Sequence, residues 1–277
     1  MKWLVRFAVV VALFLVVLAF TFPTTEIVRW ALAQVTPADT TITFTEASVR
    51  PWGLRVDGVA VRASDGRRIL DASWLRMRPS FLGFFRNGMG QPWHVGAGIC
   101  LGSIEGSLEG EAAAQVFAAT WEDIDLGTCL PMIGSPFAMS GRSTGTIDLR
   151  ILPAGPESGA GELRLRGAAW APPLPDLEDV MLHLDTALMT WSLAGPTLTL
   201  TEVAADGPEL TLAASGTVRL DARNRGASAL RLKVTLTPKA DAPDLLRDLL
   251  KDLPHRGDTY DFLLTGTIDA PRAEPTT

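Results

Sequence analysis

Two cysteines, Cys100 and Cys129, have the most specific chemistry of any side chains in this sequence. If they lie in an oxidising compartment, an even pair of cysteines favours a disulfide, and the alternative is two buried free thiols. The bond would close a loop of about 30 residues and stabilise the fold by about 3 to 4 kcal/mol. The spacing and number of cysteines exclude a CxxC redox motif and a zinc site. We therefore predict a Cys100–Cys129 disulfide.

The three histidines, His94, His183 and His255, are scattered, and none has a second ligand at metal-binding spacing. His183 falls on the polar side of an apolar alternation, which predicts a solvated ring. The acidic run at 122–127 offers oxygen ligands for calcium but lacks the ligand number and the distal Glu of a dedicated loop, so a solvated turn is favoured. No metal or cofactor site is predicted.

Enzyme motifs are missing from the sequence, which contains no GxSxG, HExxH, Walker A or GxGxxG pattern. The eight tryptophans are dispersed, which favours large side chains filling a core or a sheet rim over a carbohydrate-stacking platform. The net charge is -6, and no basic cluster alternates with aromatic residues as a nucleic-acid groove requires. We predict a protein that is not an enzyme and does not bind nucleic acid.

The N-terminus carries positive charges at Lys2 and Arg6 within and before an apolar segment that runs from Trp3 to Phe22. Twenty helical residues span about 30 Å, which matches the hydrocarbon core of a bilayer if Arg6 extends to the headgroups. The positive-inside rule then places the N-terminus in the cytoplasm and the bulk of the chain in the periplasm. The sequence therefore predicts a single-pass anchor in a bacterial inner membrane, with residues 1–23 as tail and helix.

A cleaved signal peptide is the alternative, because Ala31-Leu32-Ala33 resembles a small-x-small cleavage site. A peptidase site follows its apolar run within a few residues, whereas Pro23, Glu26, Arg29 and Trp30 separate this tripeptide from the run. An uncleaved anchor is favoured. Residues 24–36 are then predicted as a juxtamembrane helix and linker, and 37–277 as one periplasmic β domain.

Two-residue alternation of apolar and polar side chains begins near residue 41 and continues through nearly the whole chain, which predicts antiparallel strands. The clearest alternations run from Leu210 to Ala222, from Leu230 to Leu236 and from Tyr260 to Ile268. Asp65-Gly66 predicts a hairpin. The fold class predicted is mainly β, a long antiparallel sheet that is curled or paired in a sandwich, with a few short helices.

One later helix is predicted from five leucines on a single face, with Asp241 as its cap and Pro254 at its end. We expect it to close one end of the sheet. These leucines are Leu245, Leu246, Leu249, Leu250 and Leu253. In the final strand, Tyr260, Phe262, Leu264 and Ile268 are expected to point into the core.

Segment 39–85 resembles the N-terminal region of AsmA-like proteins. The residues that carry this resemblance lie at 47–54, 56–59 and 72–80. The single anchor followed by Phe22-Pro23, and the ending at 257–271 after a Leu-rich helix, are similar to the type II secretion system protein N family. Together the two resemblances cover nearly the whole chain in order.

The resemblance implies a non-enzymatic accessory component of type II protein secretion in the inner membrane, with other secretion-system or envelope proteins as partners. In the wider AsmA-like group it implies instead a β-sheet groove with a role in lipid traffic or outer-membrane assembly. The residues support either function, because a long sheet with one apolar face must cover that face with a second layer, a partner or acyl chains. A closed core favours the first function, and an open apolar trough favours the second.

Overall fold

The computed structural model describes residues 40–50, 53–63, 66, 68–79, 93–111, 114–132, 135, 138–153, 155–171, 181–221, 224–251 and 255–275. The predicted anchor at 1–23 and the predicted juxtamembrane helix lie outside these residues. Within the described part of the chain, no helix has the length and apolar character needed to cross a membrane.

The described residues form sixteen strands and two short α-helices, because alternating β-branched and leucine side chains dominate the sequence between glycine-containing turns. The strands are β1 Thr40–Thr43, β2 Glu46–Arg50, β3 Gly53–Ala63, β4 Arg68–Pro79, β5 Trp93–Ile99, β6 Gly102–Glu111, β7 Ala114–Asp125, β8 Ala138–Leu152, β9 Gly155–Ala171, β10 Leu182–Ala194, β11 Thr197–Asp206, β12 Leu210–Arg219, β13 Ala229–Pro238, β14 His255–Arg256, β15 Thr259–Thr267 and β16 Pro271–Pro275. The helices are α1 Leu126–Met132 and α2 Asp244–Leu250, and a 3₁₀ turn spans Arg225–Ala227.

All of these strands belong to one curled antiparallel sheet. From β3 to β13 each strand pairs with its neighbour in the chain, and β15 then pairs with β13. Strands β1 and β2 share the outer edge of β3, and β14 and β16 share the outer edge of β15. The prediction of a mainly β, antiparallel fold is confirmed, and among the described strands the sheet is single rather than a sandwich.

The hairpin predicted at Asp65-Gly66 joins β3 to β4. Gly66 has a φ of +81°, a conformation that glycine adopts without strain, and its N–H donates to the carbonyl of Ala63 at 2.9 Å. Asp65 itself lies outside the described residues. The turn chemistry at this position therefore sets the register of the first long hairpin.

Two strand ends differ from the prediction. Strand β12 stops at Arg219, and Leu220 is 41% exposed, because the partner strand β11 begins at Thr197 and offers no ladder beyond that pair. Ala222 lies outside the described residues. Strand β15 stops at Thr267, and Ile268 is 50% exposed instead of pointing into the core, because the chain turns sharply just after Gly266. Once the last cross-strand pair has passed, the alternation no longer predicts which face of the sheet a side chain points to.

Helix α2 covers one end of the sheet as predicted, with Leu246 and Leu250 buried in a cluster that includes Leu210 and Leu236. Leu245 is 41% exposed, so the apolar face is narrower than expected. The predicted Asp241 cap is wrong, because the N-cap residue is Pro243 and no side chain caps the helix. Leu253 and the side chain of Leu249 fall outside what the structure describes.

Candidate functional site

One face of the sheet is apolar across almost its full width. A single register row, in which each residue is the cross-strand partner of the next, crosses thirteen strands from β2 to β15, and every member is apolar. At a strand spacing of about 4.8 Å, this row follows the sheet for roughly 58 Å. The row is Ala47, Val56, Leu75, Ala97, Ile104, Trp121, Gly145, Leu163, Met189, Val203, Ala214, Val234 and Phe262.

Burial along this row changes from the ends to the middle. Val56 is 3% exposed near the N-terminal end, and Val234 and Phe262 are 8% and 9% exposed near the C-terminal end. The nine residues between them, Leu75 to Ala214 in row order, are all only half-buried. Within the described part of the chain, no layer brings the side chains in the middle of the apolar face to full burial.

A cavity of about 420 Å³ opens on the apolar face beside α2. Its walls are apolar side chains alone, from five consecutive strands and the helix. They are Leu163, Leu165, Trp170, Leu182, Leu184, Ala187, Leu188, Met189, Val203, Ala205, Leu210, Leu212, Leu236 and Leu246. A site with such walls excludes polar ligands, because no wall side chain replaces the hydrogen bonds that a polar group gives up on leaving water.

A charged pair lies next to the residues that line this cavity. Glu209 is 7% exposed and precedes the cavity residue Leu210, and His183 follows the cavity residue Leu182. The backbone N–H of His183 donates to Glu209 Oε2 at 3.0 Å, and His183 Nδ1 lies 2.7 Å from Glu209 Oε1. The pair ties the start of β10 to the start of β12 at the cavity rim.

The pKa of Glu209 is lower than the ordinary value of a glutamic acid. Burial alone would raise this pKa, but hydrogen bonds from the ring and backbone N–H of His183 stabilise the carboxylate and outweigh that effect. The predicted solvated ring of His183 is correct only in part, because the side chain is 57% exposed yet bonded to Glu209. Nothing in the sequence indicated that Glu209 is buried, because acidic residues are usually exposed.

The predicted disulfide is confirmed, with Cys100 and Cys129 joined at an S–S distance of 2.04 Å. Cys100 lies in the turn between β5 and β6, and Cys129 lies in α1 between β7 and β8. The Cys100 carbonyl also accepts the N–H of Asp125 at 2.9 Å. The bond therefore fixes α1 to the sheet without approaching the residues that line the apolar cavity.

The other candidate metal ligands, the three histidines and the acidic run at 122–127, lie in separate parts of the sheet. His94 lies on β5, His183 at the start of β10 and His255 on β14. The acidic run at 122–127 forms the end of β7 and the start of α1, where Asp125 Oδ1 accepts the Thr128 N–H at 2.8 Å. Among the described residues, no group of three or more His, Cys, Asp or Glu side chains has the arrangement of a metal site.

The tryptophans of the described strands are dispersed, one to a strand, as expected. Three of them lie over glycines of neighbouring strands: Trp74 over Gly96 and Gly98, Trp121 over Gly145, and Trp191 over Gly161. A Cβ at these glycines would collide with the indole rings, so the small residues are needed for this packing.

The chain matches no protein-family model, no curated protein and no solved structure. Its function must therefore be argued from the geometry of the sheet.

Proposed function

We propose that this protein binds acyl chains on the apolar face of its sheet and acts as a non-enzymatic lipid-binding or lipid-transport protein of the bacterial envelope. The observation that carries the proposal is the cavity beside α2, whose walls are apolar side chains alone. An alkyl chain satisfies such walls, because burying apolar area releases about 25 cal/mol per Å² and leaves no polar group unpaired.

The thirteen-residue apolar row supports the same proposal. Its half-buried middle is continuous with the cavity, since Leu163, Met189 and Val203 belong to both. Contiguous apolar surface of this extent on a soluble protein marks a binding surface. The amphiphilic partner that fits a long, one-dimensional apolar strip is an extended hydrocarbon chain.

The proposal includes the membrane location expected from the sequence. An anchor at residues 3–22 would hold the first strands close to the inner membrane, which supplies acyl chains. The bulk of the chain would lie in the periplasm, where a disulfide such as Cys100–Cys129 persists.

An accessory role in type II protein secretion is the second candidate function. The observation that favours it is the edge of the sheet, because a β-strand edge can pair with a strand of another protein. At the C-terminal edge, Pro271 and Pro275 of β16 lack the N–H groups that such pairing needs. Strand β1, at the opposite edge, contains no proline and is the better candidate for contacting a partner.

A cavity-filling variant tests the lipid proposal. Ala187 and Ala205 are cross-strand partners that both line the cavity, so Ala187→Phe fills it while keeping it apolar. The full chain is purified from membranes in neutral detergent, and the lipid retained per protein is measured by mass spectrometry of the intact complex. We expect several-fold less retained lipid in Ala187→Phe than in the natural protein.

Thr186→Phe is the matched control, because Thr186 is the neighbouring, exposed residue of the same strand. It should retain lipid as the natural protein does. Unchanged lipid in both variants, or no retained lipid in the natural protein, would contradict the proposal. Both variants are checked for an intact disulfide and an unchanged circular dichroism spectrum.

A further inference from the structure

The opposite face of the sheet contains a trough of about 900 Å³ across β4 to β10. Two of the register rows that line it carry charged side chains. The first is Arg76, Gly96, Glu105, Thr120, Thr146, Glu162 and Thr190, and the second begins Arg78, His94, Ser107, Ala118, Asp148 and Ala160. Most residues of these two rows are small or polar, whereas the thirteen-residue row on the other face is apolar.

The charges of this trough are separated along its length. Arg76 and Arg78 occupy its first strand, with His94 directly opposite Arg78. The carboxylates of Glu105, Asp148 and Glu162 lie on β6, β8 and β9. Glu105 is two strands from Arg76, a backbone separation of about 10 Å, and no ion pair joins the two side chains.

The two arginines have no carboxylate partner within the described residues. The neighbouring Arg55 differs, because its guanidinium donates three hydrogen bonds of 2.8 to 3.1 Å to Asp57. The positive charge of Arg55 is therefore neutralised, while the charges of Arg76 and Arg78 remain available for a ligand.

The Arg76 guanidinium is held by packing. It lies 5.5 Å from the centre of the Trp74 ring, and Arg55 lies 5.9 Å from the same ring. Arg76 and Arg78 both line the trough. A positioned guanidinium without a carboxylate partner, at the wall of an open trough, is an arrangement in which arginine recognises planar or tetrahedral oxyanions.

The geometry points to a phosphate-binding site formed by Arg76 and Arg78, with His94 as a further hydrogen-bond donor. Phosphate fits because its oxygens accept paired N–H donors from guanidinium groups. Such a phosphate belongs either to a lipid headgroup or to a free phosphate compound. The site lies on the face opposite the acyl-binding row, so it stands independently of the proposed function.

Binding is measured by calorimetry on the full chain in neutral detergent at low ionic strength, with inorganic phosphate and with dihexanoyl phosphatidic acid as probes. The test variant is Arg76→Gln/Arg78→Gln. The control is Arg142→Gln/Arg166→Gln, which removes two exposed cross-strand arginines from the same face outside the trough. Because the test variant removes charge-assisted hydrogen-bond donors, we expect at least about tenfold weaker binding in it and less than about twofold weaker binding in the control.

Binding of inorganic phosphate that depends on Arg76 and Arg78 identifies a site for free phosphate compounds. Binding of phosphatidic acid alone, with the same dependence, identifies a headgroup site. The inference is overturned if the natural protein binds neither probe, if both double variants lose affinity equally, or if phosphatidic acid binding is unchanged in Arg76→Gln/Arg78→Gln.

Discussion

The ends and the middle of the sheet share one alternation pattern but differ in burial. At the ends, Val56, Val234 and Phe262 are almost fully buried, whereas Ile104 and Leu163 in the middle of the same row are only half-buried. Alternation determines which side chains share a face, but burial depends on what covers that face. The difference separates a tightly packed part of the sheet from a part whose apolar side chains stay half-buried, which is the part that we propose binds acyl chains.

Different residues cover the two ends. At the C-terminal end, α2 places Leu246 and Leu250 against Leu182, Leu210 and Leu236. At the N-terminal end, Ala47, Val56, Val59 and Ala72 form a tight cluster against which Ile42 and Phe44 pack. We therefore expect stability to be concentrated at the two ends.

Of the variants considered, truncation of Phe262 should lower the free energy of unfolding the most. Phe262→Ala removes a buried ring from the C-terminal end and should lower the free energy of unfolding by about 3 to 5 kcal/mol. Ile104→Ala, in the half-buried middle of the row, should lower the free energy of unfolding by about 1 to 2 kcal/mol, because a half-buried side chain loses roughly half as much apolar burial. Urea unfolding of the full chain measures both.

Thr265→Ala is the small-effect control in the same strand as Phe262. Thr265 Oγ1 donates to Glu274 Oε1 at 2.9 Å, so the variant loses a partly exposed hydrogen bond that contributes about 0.5 to 1 kcal/mol. Equal losses for Phe262→Ala and Ile104→Ala would show that the ends and the middle do not differ in burial energy.

Removal of the disulfide should have the next largest effect. Cys100→Ser/Cys129→Ser releases a loop of sequence separation 29 and should destabilise the protein by about 3 kcal/mol on the chain-entropy model. Hydrogen exchange should show faster opening in β5 to β8, near α1, than in β12 to β15. An equal increase in the rate of hydrogen exchange in all strands would mean that the two ends of the sheet unfold as one unit.

The sequence predicted which face of the sheet a side chain points to better than it predicted what packs against that side chain. Two-residue alternation correctly placed Phe262 on the buried side, because a ladder on both sides of β15 preserves the parity. It misplaced Ile268, which follows the last ladder pair. No local pattern identified Glu209, because its burial depends on His183, which is 26 residues away in the sequence.

The apolar cavity could not be predicted from the sequence for a similar reason. Its walls combine apolar side chains from strands β9 to β13 with Leu246 of α2. Each of these side chains is ordinary within its own strand. Only the register between strands shows that they enclose a single apolar space.

Protonation of Glu209 at low pH should remove the stability that its carboxylate contributes at the edge of the cavity. Because its folded pKa lies below the ordinary value of 4.5, the ionised carboxylate stabilises the fold above that pH, and this stabilisation is lost as the pH falls through the folded pKa. Glu209→Gln should lower the melting temperature at neutral pH, and the difference from the natural protein should shrink in acid. A difference that is constant across pH would show that the charge of Glu209 contributes nothing.

Photocrosslinking at adjacent residues of β8 tests the acyl-binding account most directly. Ile147 lies on the apolar face and Thr146 on the polar face, so a benzophenone side chain at each samples opposite sides of the middle of the sheet. Cells that express the full chain are labelled with radioactive acetate, irradiated and analysed for labelled lipid attached to the protein. The account predicts strong labelling from position 147 and little from position 146; equal labelling, or none from 147, would contradict it.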